Sequence, residues 1–213
     1  MLLNLHTIYL GSDVVDKSVQ RALEKWPNVP ANYGWLRLDR RGRWLIQNEP
    51  ISHPKVIEFI DRNYLSDRVG RWFFQNGPQK VYVELDYTPW IYGLYQQPEQ
   101  RLILRTHTQL TAQSLRNVWI DEFGDILLET EWGIGLLDNR DLVKLFACLQ
   151  TQDGRPLTEE ELDQFFSAPS TDISNAQVYV ALLAQSRPLL AIRTEEVPKK
   201  YGFQPKPKDP KVP

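Results

Sequence analysis

Gly70-Arg-Trp-Phe-Phe-Gln-Asn-Gly-Pro-Gln-Lys-Val-Tyr-Val-Glu-Leu-Asp-Tyr-Thr-Pro-Trp90 decides the fold class. Asp67 and Gly70 stand first and fourth in the turn that opens it, places that suit a type I turn. Asn76-Gly77 is a strong two-residue hairpin signal, so a strand is expected on either side of it. From Lys80 to Tyr87 the chain alternates with period two. Val81, Val83 and Leu85 take one face; Lys80, Tyr82, Glu84 and Asp86 take the other. This reads as a half-buried antiparallel meander, its charged face in solvent.

The same text stands 28 residues earlier: Gly42-Arg-Trp-Leu-Ile-Gln-Asn-Glu-Pro50 agrees with Gly70–Pro78 at six of nine positions. Asp39 precedes Gly42 as Asp67 precedes Gly70, and Asp121-Glu-Phe-Gly124 is a weaker echo. Three uneven copies do not make a solenoid, so a duplicated hairpin is the better reading. Strand–turn–strand–helix then occurs twice, over 35–64 and 118–150.

Working outward, residues 13–26 predict an amphipathic helix capped by Ser12 or Asp13, with Val15, Val19, Ala22, Leu23 and Trp26 inward. Pro54 fits a first helical position, which puts His53 at the N-cap of a helix reaching about Tyr64, with Val56, Ile57, Ile60 and Tyr64 inward. Asp138-Asn-Arg-Asp141 opens a third helix with Leu142, Val143, Phe146 and Leu149 inward, and Thr158-Glu-Glu-Glu161 is a capping box. Strands are expected over 101–108, 178–183 and 189–192. The fold expectation is α+β: two related subdomains of antiparallel β-meander plus helix, with an N-terminal helix and an extended C-terminal tail. The boundaries are 1–30, 31–98, 99–197 and 198–213, the middle one placed in the polar Gln96–Gln100 loop. Residues 198–213 are rich in Lys and Pro and cannot bury enough apolar surface to fold alone. They are expected to lie extended on an acidic surface, such as Glu159–Glu161 of this chain or of a second copy.

The 213 residues, 42% hydrophobic and 24% charged, suit one domain or two small ones with a real core. A net charge of −2 makes nucleic acid an unlikely partner, and one cysteine excludes an internal disulfide. Met1–Leu10 lacks the basic start of a signal peptide and the length of a membrane span, so a cytoplasmic protein off the membrane is expected.

His6, His53 and His107 are far apart, with no Cys at metal spacing, so no metal or other cofactor is expected. Cys148, near the end of a helix, reads as a small hydrophobe. Phosphate loops, nucleophile elbows and complete dinucleotide glycine motifs are absent. Arg43 and Arg71, and Gln47 and Gln75, occupy equivalent places, and their rows are candidates for gripping a small polar ligand; Trp44 and Trp72 are candidates for the core. The leading expectation is a non-catalytic module that binds such a ligand or a protein partner, with a homodimer through the tail. The alternative is a hydrolase using Glu84, Asp86 and His107 as its acid and base groups.

The stretches Asp39-Arg-Arg-Gly42-Arg-Trp, His53-Pro54, Asn63-Tyr64, Gly70–Gln79 and Leu136–Phe146 resemble a proteobacterial family of unknown function over most of residues 33–166. More distantly, the hairpin–helix pattern is similar to another bacterial family of unknown function with two small α+β subdomains. The resemblance implies the fold and a bacterial origin, and it carries no catalytic residues.

Overall fold

The computed structural model describes residues 15–98, 102–167 and 178–210. It divides into two compact units. Of the described residues, one holds 15–39, 43–86 and 202–210; the other holds 40–42 and those between 87 and 201. Five α-helices among the described residues and two mixed sheets make the fold α+β.

The first unit begins with α1 (Lys17–Lys25), whose N-cap is Asp16. Ser12 and Asp13, the expected caps, lie outside the described residues. Asp16 fastens the helix start: it pairs with Arg62 at 3.2 Å, and its N–H donates to Asn63 Oδ1 at 3.0 Å. Val19 is buried as expected, but the helix stops one residue short of Trp26, which is 52% exposed under the ammonium of Lys25.

Next come β1 (Asn32–Leu38), β2 (Trp44–Ile46), β3 (Glu49–Pro50), α2 (Pro54–Arg62), β4 (Tyr64–Ser66), β5 (Trp72–Asn76) and β6 (Gln79–Leu85). Pro54 starts α2 with His53 at the N-cap, although the imidazole makes no capping bond. Ile60 is buried and Val56 is exposed; Tyr64 opens a strand instead of closing the helix. The sheet order is β3-β2-β1-β6-β5-β4. Two antiparallel meanders therefore meet through a parallel pair, β1 with β6. The core is Leu36, Leu38, Val83 and Leu85 across that pair, with Trp44 opposite Leu38. Phe59 of α2 meets Phe74 edge-on at 5.4 Å.

The second unit runs β7 (Trp90–Gln96), β8 (Leu102–Thr106), β9 (Leu115–Ile120), β10 (Ile126–Thr130), β11 (Gly133–Leu137), α3 (Leu142–Phe146), β12 (Leu149–Gln150), α4 (Glu159–Ser167), β13 (Tyr179–Leu182), β14 (Gln185–Ala191) and α5 (Val197–Tyr201). Its order is β12-β13-β14-β9-β10-β11-β7-β8. Meander, helix, meander recurs here, again with the first and last strands parallel, now β9 with β14. The β7–β8 hairpin is added at the edge, parallel to β11. Both sheets are thus mixed rather than purely antiparallel, because a helix separates the two meanders and allows their outer strands to run the same way. The expected boundary after residue 98 falls between β7 and β8, which pair antiparallel within one unit. In α3, Leu145 is buried and Val143 is 78% exposed, so the inward stripe is not the one expected. The Thr158–Glu161 capping box forms as read, with bonds of 2.8 and 3.3 Å.

The Asp-x-x-Gly turns are built alike. Asp39, Asp67 and Asp121 each accept, through Oδ1, the N–H of the residue four further on, at 2.8, 3.0 and 2.9 Å. Thr151-Gln-Asp-Gly154 is a fourth turn of this kind, hidden because threonine replaces aspartate; Gly154 N–H donates to Thr151 O at 3.0 Å. The second hairpin loop is shifted by one residue from expectation. Asn76 pairs with Gln79, so the loop residues are Gly77 and Pro78, and proline excludes the type I′ form of an Asn-Gly loop.

The described part of the Lys/Pro-rich end is not wholly extended. Its first residues belong to α5, and from Gly202 it packs within the first unit. Gln204 N–H donates to Gly70 O at 2.9 Å, Pro205 O accepts from Leu85 N–H at 2.8 Å, and Phe203 is buried. Backbone bonds and one aromatic anchor order a segment whose composition alone would not. At the start of α4, Glu161 is held by Arg155 at 2.7 Å.

Candidate functional site

Of the sequence candidates in the first unit, Arg43, Arg71 and Gln75 bond within their own hairpins. Arg43 Nε lies 2.6 Å from Asp39 and Arg71 Nε 2.7 Å from Asp67, so each arginine closes the turn that precedes it. Gln47 sits in a loop at φ +49°, whereas Gln75 is 3% exposed and donates to Gly77 O at 2.9 Å. Trp44 is buried, with Nε1 donating to Asp61 at 2.7 Å; Trp72 is only half-buried. The face of β6 expected in solvent is closed at Tyr82. Tyr33 stacks on that ring at 4.5 Å, Arg71 lies 4.6 Å from its centre, and its hydroxyl donates to Asp67 at 3.1 Å. Glu84 is on β6 and Asp86, just beyond it, pairs with Arg37 at 2.9 Å. Both belong to the first unit, while His107 belongs to the second. His6 lies outside the described residues. Among the described residues, no three His, Cys, Asp or Glu side chains gather as metal ligands, and no helix is long and apolar enough to cross a membrane. The Cys148 thiol is half-buried and donates to Lys144 O at 3.4 Å; burial pushes its pKa up, away from nucleophilic use.

The second unit contains a cleft of about 620 Å³. It begins where the parallel ladder of β7 and β11 ends. Pairing runs from Trp90–Gly135 to Tyr92–Leu137 and closes with Asp138 N–H donating to Tyr92 O at 2.8 Å. Beyond that point β7 continues beside β8, while β11 gives way to a 3-10 turn, Asn139–Asp141, and α3. Side chains then replace the missing strand partner of Leu94. Asp141 Oδ2 accepts its N–H at 2.8 Å, and Lys144 Nζ donates to its carbonyl at 2.7 Å. Lys144 also pairs with Asp141 Oδ1 at 2.5 Å. Both backbone groups at the open edge are satisfied, as a strand edge within a fold requires.

Asp138 caps the 3-10 turn, accepting Arg140 N–H at 3.0 Å, and holds the Arg140 guanidinium through Nε and Nη2. Burial works against ionisation of Asp138, but the bonds from Arg140 and the charges of Arg140 and Arg41 outweigh it, so its pKa is lowered.

The turn Asp39–Gly42 also lines the cleft, through Arg41 and Gly42. Gly42 has φ +75°, and a Cβ there would stand 2.7 Å from His107 Cβ, so the chain approaches His107 as only glycine allows. His107 N–H donates to Ile91 O at 2.7 Å and its Nδ1 accepts from Ile91 N–H at 3.3 Å. Ile91, Tyr92, Leu94 and Tyr95 also line the cleft, and of these only Tyr95 is exposed. Tyr95 folds back over Gly93, where a Cβ would meet the ring at 3.1 Å.

Of the residues singled out for chemistry, only His107 lies in this cleft. Arg41, Asp138, Arg140, Asp141 and Lys144 were legible as a turn and a capping sequence, but nothing local brings 41 beside 140. The arrangement can hold a polar or charged group among basic side chains beside the exposed Tyr95.

No curated protein matches this chain. Two crystal structures of DUF1285 family proteins are similar. One, from Silicibacter pomeroyi DSS-3, has 20% identity and a TM-score of 0.45, over 64% of this chain and 87% of that one. The other, from Shewanella baltica OS155, has 15% identity and a TM-score of 0.39, over 51% of this chain and 87% of that one. A family model, DUF2944, described as "Protein of unknown function (DUF2946)", matches residues 15–208, and the chain belongs to that family.

Proposed function

We propose that this protein is a non-catalytic binding module of the bacterial cytoplasm, and that a small polar ligand occupies the cleft beside β7 in the second unit. One observation carries the reading. Arg41, Arg140 and Lys144 converge with His107 and the exposed Tyr95 on a space of about 620 Å³, within the usual size range of small-molecule sites. The acid partners, Asp138 and Asp141, hold Arg140 and Lys144 in place before any ligand arrives, which limits the ordering cost of binding. The single cysteine, which leaves no internal disulfide to form, supports the cytoplasmic placement.

The test is a thermal-shift screen of the full chain against a library of small metabolites, repeated on Arg41→Gln and Arg140→Gln. A saturable rise in melting temperature, reduced in both variants relative to their own unliganded baselines, is expected. No shift from any compound, or shifts that ignore both substitutions, would remove the cleft as the binding site.

A further inference from the structure

Resting on that assignment of the cleft, we infer that its ligand presents an oxyanion, a carboxylate or a phosphate group, to the outer ends of Arg140 and Lys144. In each of their ion pairs the acid is the more buried partner. The side chains of Asp138 and Asp141 are 9% and 15% exposed, against 67% and 43% for Arg140 and Lys144. A group entering the cleft therefore meets the guanidinium and the ammonium before it meets either carboxylate. The negative charges behind them weaken the long-range pull on an anion, so the grip rests on short hydrogen bonds from donors already held in place.

The hydrogen bonds give the same sign. Asp138 takes Nε and one hydrogen of Nη2 from Arg140. Among the described residues, both hydrogens of Nη1 and the other on Nη2 remain, and a planar guanidinium offers them as a fork. Lys144 spends two of its three hydrogens on Leu94 O and Asp141, which leaves one. The acids have less to give: Asp138 also accepts Arg140 N–H, and Asp141 also accepts Leu94 N–H. Donors are thus left in surplus, and the ligand must bring acceptors. Arg140 and Lys144 stand four residues apart on one helical run, Asn139–Asp141 and then α3, a spacing that turns side chains to a common face. An anionic oxygen group suits such a pair, because it supplies several acceptors at once and makes the short, strong bonds of charged partners.

Acetate and inorganic phosphate serve as the anionic probes and acetamide as the neutral one. Each is titrated at constant ionic strength, set with sodium chloride, into the full-length chain and its Arg140→Gln, Lys144→Gln and Arg155→Gln variants, with binding followed by proton–nitrogen NMR. Arg155 is the control: it is held by an acid, Glu161, as Arg140 is, but it does not line the cleft. Saturable shifts of the Arg140 and Lys144 signals with at least one anion, and none with acetamide, are expected; the anion that binds more tightly tells carboxylate from phosphate. Arg140→Gln and Lys144→Gln should each weaken that anion about tenfold, and Arg155→Gln should leave it unchanged. A melting curve for each variant separates lost binding from lost folding. Equal response to acetamide, anion shifts that do not saturate, or equal weakening in all three variants would overturn the oxyanion assignment. If a neutral compound from the metabolite screen then depends on Arg41 and Arg140, the cleft remains the binding site; if no compound does, both readings fall.

Discussion

The hairpins that follow Gly42 and Gly70 share six of nine residues, and the fold uses those residues differently. In the first, the strand after the turn lasts three residues, and Gln47 and Asn48 form the loop at positive φ. In the second, the strand lasts five residues, Gln75 and Asn76 remain in it, and the loop moves to Gly77 and Pro78. A difference of two residues preserves which side chains share a face, so the register survives while the roles change. Trp44 becomes core and Trp72 half-exposed; Gln47 turns the chain and Gln75 is buried. Identical letters specify the turn, and neighbours far away in sequence specify the rest.

The largest expected effect tests that asymmetry. Trp44→Ala should destabilise the chain by about 3–5 kcal/mol, since it empties a buried position and removes the partner of Asp61, while Trp72→Ala should cost about half as much. Denaturant titration of both variants measures the difference. Equal losses would mean that the two hairpins are energetically equivalent after all.

Gly70→Ala and Gly124→Ala sharpen the contrast between turns. Both glycines hold left-handed φ, +78° and +81°, which costs an alanine about 1–2 kcal/mol. At Gly70 the new Cβ would also stand 2.0 Å from Gly202 O, adding about 1–3 kcal/mol of overpacking; at Gly124 nothing lies within 4 Å. Gly70→Ala should therefore melt lower and become sensitive to proteolysis near residue 202. Matching melting curves for the two variants would contradict the packing of the C-terminal segment on this turn.

Asp61 accepts from Trp44, and burial first, with the charge of Glu58 adding to it, raises its pKa to about 6. A carboxyl raised in the folded state opposes folding fully above about pH 6, and the penalty disappears as pH falls toward 4. Asp61→Asn keeps an acceptor for Trp44 and removes the charge. It should stabilise the protein by about 1–2 kcal/mol at pH 7.5 and by almost nothing at pH 4. A pH-independent change in stability would show that Asp61 is not strained in its ionised form.

The smallest effect is expected in the loops. Gln47→Gly should stabilise by up to about 1 kcal/mol by relieving a left-handed glutamine, whereas Gln75→Gly should destabilise, because it removes a buried hydrogen-bonded side chain from a strand. Thermal melts of the pair give opposite signs if the two loops differ as described, and the same sign if they do not.

Much of the local structure was legible before any packing was known. Asp-x-x-Gly spacing, Pro54, the Thr158–Glu161 box and the alternation from Lys80 each act within a few residues, and each forms where the sequence places it. The parallel pairing of β1 with β6 and of β9 with β14 was not legible, since it joins strands more than 40 residues apart. The closed face of Tyr82 was missed for a related reason: alternation says which residues share a face, but Tyr33 and Arg71 decide whether that face meets water.

Sequence alone determined the Asp-x-x-Gly turns, the start of α2, the capping box of α4 and the α+β class, because these follow from backbone preference and short-range periodicity. Tertiary structure decided the rest. It placed Arg41, from a turn of the first repeat, in the same cleft as Arg140 and Lys144 from the start of α3, around the open edge of β7. It also laid a proline-rich segment that cannot fold alone against the Gly70 turn. In both places the deciding contacts join residues about 100 or more positions apart, and no local preference encodes which of many surfaces such distant residues will share.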